Sequence, residues 1–332
     1  MACMLSACDS DMPDGSTDTG VGTEVSFTTS GLSRASDTPS FDRFAVYGDM
    51  RFQGDDDAAP LVIFDKKEVE YQNGRWTYSG VQYWFQKHIH SFVAVSPVSV
   101  VDPAANPQYS DSRLSFTYTI PTTGGVVEKK DDISDICVAT HRRLYVSGNA
   151  PVTLKFRHIQ SLVNVALALD DDLMKKDEYV LINELEVSGI KAKADFSILP
   201  SAILTNNQTD DNVVEIAGQE GDAKLTVIFD EPVKLVNKAN PVNLFAANDA
   251  LIMLPQVFAV DSKAKIVFTY TVNGDAEAPK KITLSFKDMK WDVGKSYTYQ
   301  GSFEIDKTQI ELQSMGITDW TEEELSSEAV SD

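Results

Sequence analysis

From Val152 to Leu169 the chain reads V-T-L-K-F-R-H-I-Q-S-L-V-N-V-A-L-A-L. Val152, Leu154 and Phe156 alternate with Thr153, Lys155 and Arg157, the period-two pattern of a strand with one buried face. Alternation resumes at Val163, Val165, Leu167 and Leu169, now on the opposite parity. The buried set has slipped by one residue, which turns a strand's faces over unless a bulge or turn absorbs the slip. Residues 158–161 are therefore expected to be a hinge joining two β-modules.

The same period recurs along most of the chain. Residues 24–29 place Val25, Phe27 and Thr29 on one face. Strand signal returns around Phe44 and Val46, at 61–64 and at 68–71. Asn73-Gly74 predicts a hairpin whose far arm carries Trp76 and Tyr78. A run over 91–101 is broken by Pro97, and Leu114, Phe116 and Tyr118 share a face. In the second half, strands are expected over 179–187, 194–199, 213–216 and 225–229. Ile266, Phe268, Tyr270 and Val272 are in phase, and Asn273-Gly274 turns them into Ile282, Leu284 and Phe286. Residues 297–305 and 308–317 close the series. Apart from a turn or two at 171–177, no segment has a helical period. Many short strands between turn clusters predict an all-β protein of two β-sandwich domains in tandem. The expected boundaries are 1–22 for a tether, 23–150 and 151–320 for the domains, and 321–332 for an acidic tail.

The 332 residues are 42% hydrophobic, enough to fill substantial cores. No stretch approaches the roughly 18 unbroken apolar residues of a membrane helix. The formal net charge of -21 argues against nucleic acid, whose phosphates need clustered Lys and Arg. Asp55-Asp56-Asp57 and Asp170-Asp171-Asp172 read as solvated loops, with weak calcium sites as the alternative.

Three cysteines make no disulfide framework. Cys137, in the run I-C-V-A, reads as a small buried apolar residue. Leu5-Ser6-Ala7-Cys8 resembles a bacterial lipobox, with Cys8 the lipidated residue, and the stretch after it is acidic, rich in Gly, Ser and Thr, and fits a flexible tether. A leader peptide needs an apolar core of about 7–15 residues. Only seven residues precede Cys8, so Met1 is read as lying inside that core.

Signatures of catalysis are missing: there is no G-x-S-x-G, H-E-x-x-H, Walker loop or dinucleotide glycine pattern. No enzyme, cofactor or metal centre is expected. His88 and His90 would share a strand face, but no third ligand is near in sequence, and both read as surface histidines. His158 is in phase with Val152, Leu154 and Phe156 and reads as a buried, hydrogen-bonded structural histidine. Trp76, Tyr78, Tyr83, Trp84 and Phe85 are read as cross-strand and core aromatics, with sugar stacking as the alternative.

Several motifs in order carry a family resemblance. They are V-S-F-T-T…S-R-A-S, F-A-V-Y-G, N-G-R-W-T-Y…Y-W, S-F-V-A-V-S-P and D-I-C-V-A. L-K-F-R-H-I-Q-S-L-V-N-V, Leu254-Pro255-Gln256 and W-D-V-G-K-S-Y-T-Y follow. Together these resemble the fimbrillin family, the type V pilins and related adhesins of gut and oral Gram-negative anaerobes. The resemblance implies transthyretin-like sandwich domains and export to the outer membrane as a lipoprotein. It also implies polymerisation with other fimbrial subunits by β-strand exchange. A protease would cut between Arg34 and Ala35, releasing the strand of Val25, Phe27 and Thr29. A donor strand is expected near the C-terminus, with Ile310, Leu312 and Ile317 as its apolar residues. The acidic run beyond Trp320 is unsuited to an apolar groove and is expected to be solvated. A host or bacterial surface glycan or protein is a further candidate partner. A lipid anchor is the only membrane attachment expected. The alternative is a monomeric surface lipoprotein that binds glycans through exposed aromatics.

Overall fold

A computed structural model describes residues 23–30, 41–55, 58–148, 151–169, 179–235, 241–246, 249–275, 277–304 and 309–320. The described residues are all-β, with only short 3-10 turns between strands. Three elements expected from sequence lie outside them: the tether, the turns at 171–177 and the acidic tail.

A seven-stranded antiparallel sheet stands in the middle of the first sandwich. Its central strands are Arg43–Phe52, His88–Ser96 and Cys137–Tyr145, with Leu61–Gln72 and Arg75–Tyr78 continuing one side. Both faces of this sheet are covered. Phe44, Val46, Phe92, Ala94 and Ala139 face a smaller apolar cluster that also holds Val25, Phe27, Val152, Leu154 and Phe156. Ala45, Tyr47, Val93, Val95 and Val138 belong to the main core, together with Leu114, Phe116, Phe196 and Ile198. Burial on both faces removes the alternation that betrays a strand in sequence, and His88–Ser96 is accordingly an almost unbroken buried run.

The main core continues into a second sandwich of two five-stranded sheets. One contains Lys280–Ser285, Lys265–Val272, Val180–Ile190 and Ala223–Leu235; the other contains Ser161–Leu169, Lys295–Phe303 and Glu311–Asp319. Edge-to-face contact of Tyr270 with Phe303, ring centroids 4.6 Å apart, joins them. The sheets do not divide the chain at 149–151. Lys193–Pro200 pairs with Arg113–Thr119, and Val152–Lys155 packs into the smaller cluster with the strands that precede it. Hydrogen bonding between distant strands, invisible to local pattern, decides this organisation.

The hinge is where the parity slip places it. Val152–Lys155 belongs to the smaller cluster, whereas Ser161–Leu169 runs through the main core with all nine residues buried. Between them the chain crosses from one core to the other. Gly294 makes the crossing possible. It adopts φ +64, and a Cβ there would lie 2.9 Å from the carbonyl oxygen of His158. Its N–H donates to Gln160 O at 2.9 Å, and its carbonyl accepts from Trp320 N–H at 2.9 Å. Substitution Gly294→Ala combines left-handed backbone, about 1–2 kcal/mol for an L-residue, with a collision against backbone. We expect a loss of about 2 kcal/mol or more in urea unfolding; an unchanged midpoint would contradict this geometry.

Candidate functional site

The N-terminal strand Phe27–Ser30 is built as a plug. Its alternation is the one the sequence predicts: Val25 and Phe27 are buried, Thr29 is half-buried, and Ser26, Thr28 and Ser30 are exposed. It pairs in parallel with Val152–Lys155, Phe27 opposite Val152 and Ser30 opposite Lys155. Val152 N–H donates to Ser26 O at 2.7 Å and Phe156 N–H to Ser30 O at 3.1 Å. Just upstream, Val25 N–H donates to Gln82 O, and Trp84 N–H to Thr23 O.

Side chains pin the plug as well. Tyr78 Oη donates to Val25 O at 2.7 Å, and Trp76 Nε1 to Thr29 Oγ1 at 3.1 Å. The ring of Phe27 stands edge-on among Phe44, Phe64, Tyr78 and Phe92, with centroids 5.6–6.2 Å away. Burying Val25 and Phe27 is worth roughly 1.5–3 kcal/mol each in area terms.

Arg34 and Ala35 lie outside the described residues, as does Cys8. The described chain stops at Ser30 and resumes at Phe41, whose ring meets Phe156 at 4.8 Å. Both ends of the stretch carrying Arg34 are therefore fixed to the same apolar cluster.

At the other terminus, Glu311–Asp319 is the edge strand of its sheet, antiparallel to Lys295–Phe303. Leu312 pairs with Gly301 and Ile317 with Tyr297, and a one-residue register shift lies between them. Ile310 is buried in the main core, whereas Ile317 is about half exposed. The W-D-V-G-K-S-Y-T-Y motif braces this edge. Trp291 Nε1 donates to Tyr299 Oη, and Asp292 N–H to Tyr297 Oη, each at 2.7 Å. Burial pushes the Tyr299 hydroxyl up to about 12.

The aromatic hairpin mostly packs inward. Trp84 is buried and stacked on Tyr145, and Trp76 and Tyr78 lie against the smaller cluster. Tyr83 and Phe85 keep substantial exposure. His90 corrects the surface reading: it is fully buried beside Trp84, and Phe85 N–H donates to its Nε2. A strand covered on both sides has no solvent face for it. Desolvation lowers its pKa to about 4.

His158 is buried and hydrogen-bonded, its Nδ1 lying 2.7 Å from Asp135 Oδ1. Sequence reading missed what surrounds it. Cys137 is buried in the smaller apolar cluster, as expected, but it also sits opposite His158 in antiparallel register, and Asp135 is two residues before it. The D-x-C spacing was visible in the sequence; only the strand pairing adds the histidine.

A family model for fimbrillin-like proteins matches residues 33–320. Among solved structures, a fimbrial protein from Bacteroides vulgatus is similar with a TM-score of 0.57 at 13% identity, covering 90% of this chain and 99% of that one. A candidate cell adhesion protein from Bacteroides uniformis gives 0.47 at 15% identity, covering 90% and 99%. A fimbrial assembly protein from Parabacteroides distasonis gives 0.40 at 13%, again covering 90% and 99%. No curated protein matches. The first of these structures shares the all-β fold, and the family model spans all but the two ends of the chain: the protein belongs to the fimbrillin-like family.

Proposed function

We propose that this protein is a fimbrial subunit, or an adhesin carried on fimbriae, that assembles by strand exchange at the plug. The observation that carries the reading is the seat of Phe27–Ser30. It is a short strand in a two-stranded parallel pair, with its inward residues in an aromatic pocket and the Arg34 stretch directly after it. Cleavage between Arg34 and Ala35 leaves such a strand held by noncovalent contacts alone. Once it departs, the backbone groups of Val152–Lys155 and the pocket around Phe44 form a template for an incoming strand of another subunit.

The C-terminal strand with Ile310, Leu312 and Ile317 is the candidate donor, and it must leave its own sheet edge to act as one. Lipidation at Cys8, attachment to the outer membrane by that lipid alone, and a structural rather than catalytic role complete the proposal. Glycan binding through the aromatic hairpin is less favoured, because Trp76, Tyr78 and Trp84 are committed to packing.

The test is limited digestion of the purified protein with an arginine-specific protease, followed by sizing. We expect a cut after Arg34 and a shift to larger species. The proposal fails if a chain starting at Ala35 stays monomeric and melts like the uncut protein.

A further inference from the structure

Asp135, Cys137 and His158 bring three kinds of metal-ligating atom to one point, all within 4.8 Å of one another. His158 Nδ1 is 2.7 Å from Asp135 Oδ1 and 3.3 Å from Cys137 Sγ, and Sγ is 3.8 Å from Oδ1. Ligands held about 2.0–2.3 Å from a tetrahedral zinc ion stand roughly 3.3–3.6 Å apart. The two separations from Cys137 Sγ lie at or just beyond the ends of that range, and the hydrogen-bonded Asp135–His158 pair has to open by about half an ångström to reach it. Cys137 and His158 are buried, while the Asp135 side chain is 40% exposed and opens the cluster to solvent.

Two further observations mark the cluster as more than a structural hydrogen bond. Among the described residues, the buried His158 Nε2 has no hydrogen-bond partner, an uncommon state for a core histidine. The indole of Trp320 lies flat on the imidazole, centroids 3.9 Å apart and planes 2° from parallel, covering one face of the ring. Neither feature is needed for an Asp–His pair, and neither explains a thiol placed against both partners.

We propose that Asp135, Cys137 and His158 form a site for a borderline-soft divalent metal ion, with zinc the best match and the fourth position open to water past Asp135. A thiolate, an imidazole and a carboxylate suit zinc; calcium and magnesium favour all-oxygen sets. On binding, Cys137 gives up its thiol proton to solvent. His158 offers Nδ1 by moving its proton from Nδ1 to the unpartnered Nε2, and the Nδ1–H to Asp135 hydrogen bond gives way to two bonds to the metal. Uptake of one ion thus releases one proton, and acid weakens it. This site stands independently of strand exchange.

The full-length protein, stripped with chelator, is titrated with Co²⁺ and then Zn²⁺. We expect a thiolate-to-cobalt charge-transfer band that saturates at one equivalent and is abolished by Zn²⁺. We also expect a change in tryptophan emission that is lost in Trp320→Phe, and a Tm raised by Zn²⁺. Cys137→Ser removes the band, whereas Cys3→Ser with Cys8→Ser keeps it. Asp135→Asn, near-isosteric and with a side chain 40% exposed, is expected to weaken cobalt binding by more than about tenfold but to retain the band. Absence of the band in the parent protein, its survival in Cys137→Ser, or unchanged affinity in Asp135→Asn overturns the assignment.

Discussion

Phe27→Ala is expected to cost about 3–5 kcal/mol in urea unfolding, the range for truncating a large aromatic in a packed core. The ring is 4% exposed and touches four other aromatic rings, so the cavity left behind is lined by rigid groups with little freedom to collapse into it. The other anchors of the strand are Val25 inward, a parallel ladder of four residues, and the hydrogen bonds from Tyr78 and Trp76, and all of them reach the same cluster. Destabilisation should therefore concentrate in the smaller cluster. Hydrogen exchange should speed up at Val152–Lys155 well before it does at Ser161–Leu169, which is buried in the main core. A cost below about 1 kcal/mol, or equal acceleration in both strands, would show that the plug is not what closes this cluster.

Acid should destabilise the protein between pH 6.5 and 4. His90 and His141 are both buried, and desolvation, with a contribution from nearby Arg143, lowers each from the usual 6.5 to about 4. Both rings are neutral when folded across that interval, while the unfolded chain takes up protons on them. Their contribution is complete above pH 6.5 and is lost as the pH falls toward 4. At 1.36 kcal/mol per pKa unit the loss approaches roughly 3 kcal/mol for each ring. Asp49, raised by its own desolvation, works in the opposite direction and offsets part of it. Protonation of surface carboxylates also relieves the self-repulsion of a strongly acidic chain. The comparison is therefore made between proteins: the parent should lose more stability from pH 7 to pH 5 than a His90→Gln/His141→Gln variant. Parallel losses would assign the acid sensitivity elsewhere.

Strands with one covered face were legible from alternation alone. Ile266, Phe268 and Tyr270 are buried in phase, and Asn273-Gly274 takes positive φ at both positions before Ile282 and Leu284 return. The plug was legible for the same reason, through Val25 and Phe27. Arg43–Phe52 and His88–Ser96 were blurred because apolar residues occupy both of their faces, and that also hid the burial of His90. The partner of the plug lay beyond local reasoning: the Thr28 and Thr153 hydroxyls that meet across the pair are 125 residues apart in the chain. The pairings of Arg113–Thr119 with Lys193–Pro200 and of Cys137–Tyr145 with Gln208–Thr209, which join strands from either side of 149–151, lay beyond it on the same account. A composition shift marks where the chain turns, not which sheet the next strand joins. Asp135, Cys137 and His158 needed both kinds of information, a two-residue spacing along one segment and an antiparallel register with another.

The parallel pairing of Phe27–Ser30 with Val152–Lys155 has a mechanical consequence. When two parallel strands are pulled from opposite ends, their hydrogen bonds are loaded in shear and resist together, whereas a pair pulled apart from one end opens like a zip, one bond at a time. Val152–Lys155 leads through the hinge directly into Ser161–Leu169, which is itself parallel to Lys295–Phe303. A pull applied at this pair therefore passes along one short covalent run into the buried strand of the main core, and the arrangement resists a pull along the strands far better than one across them.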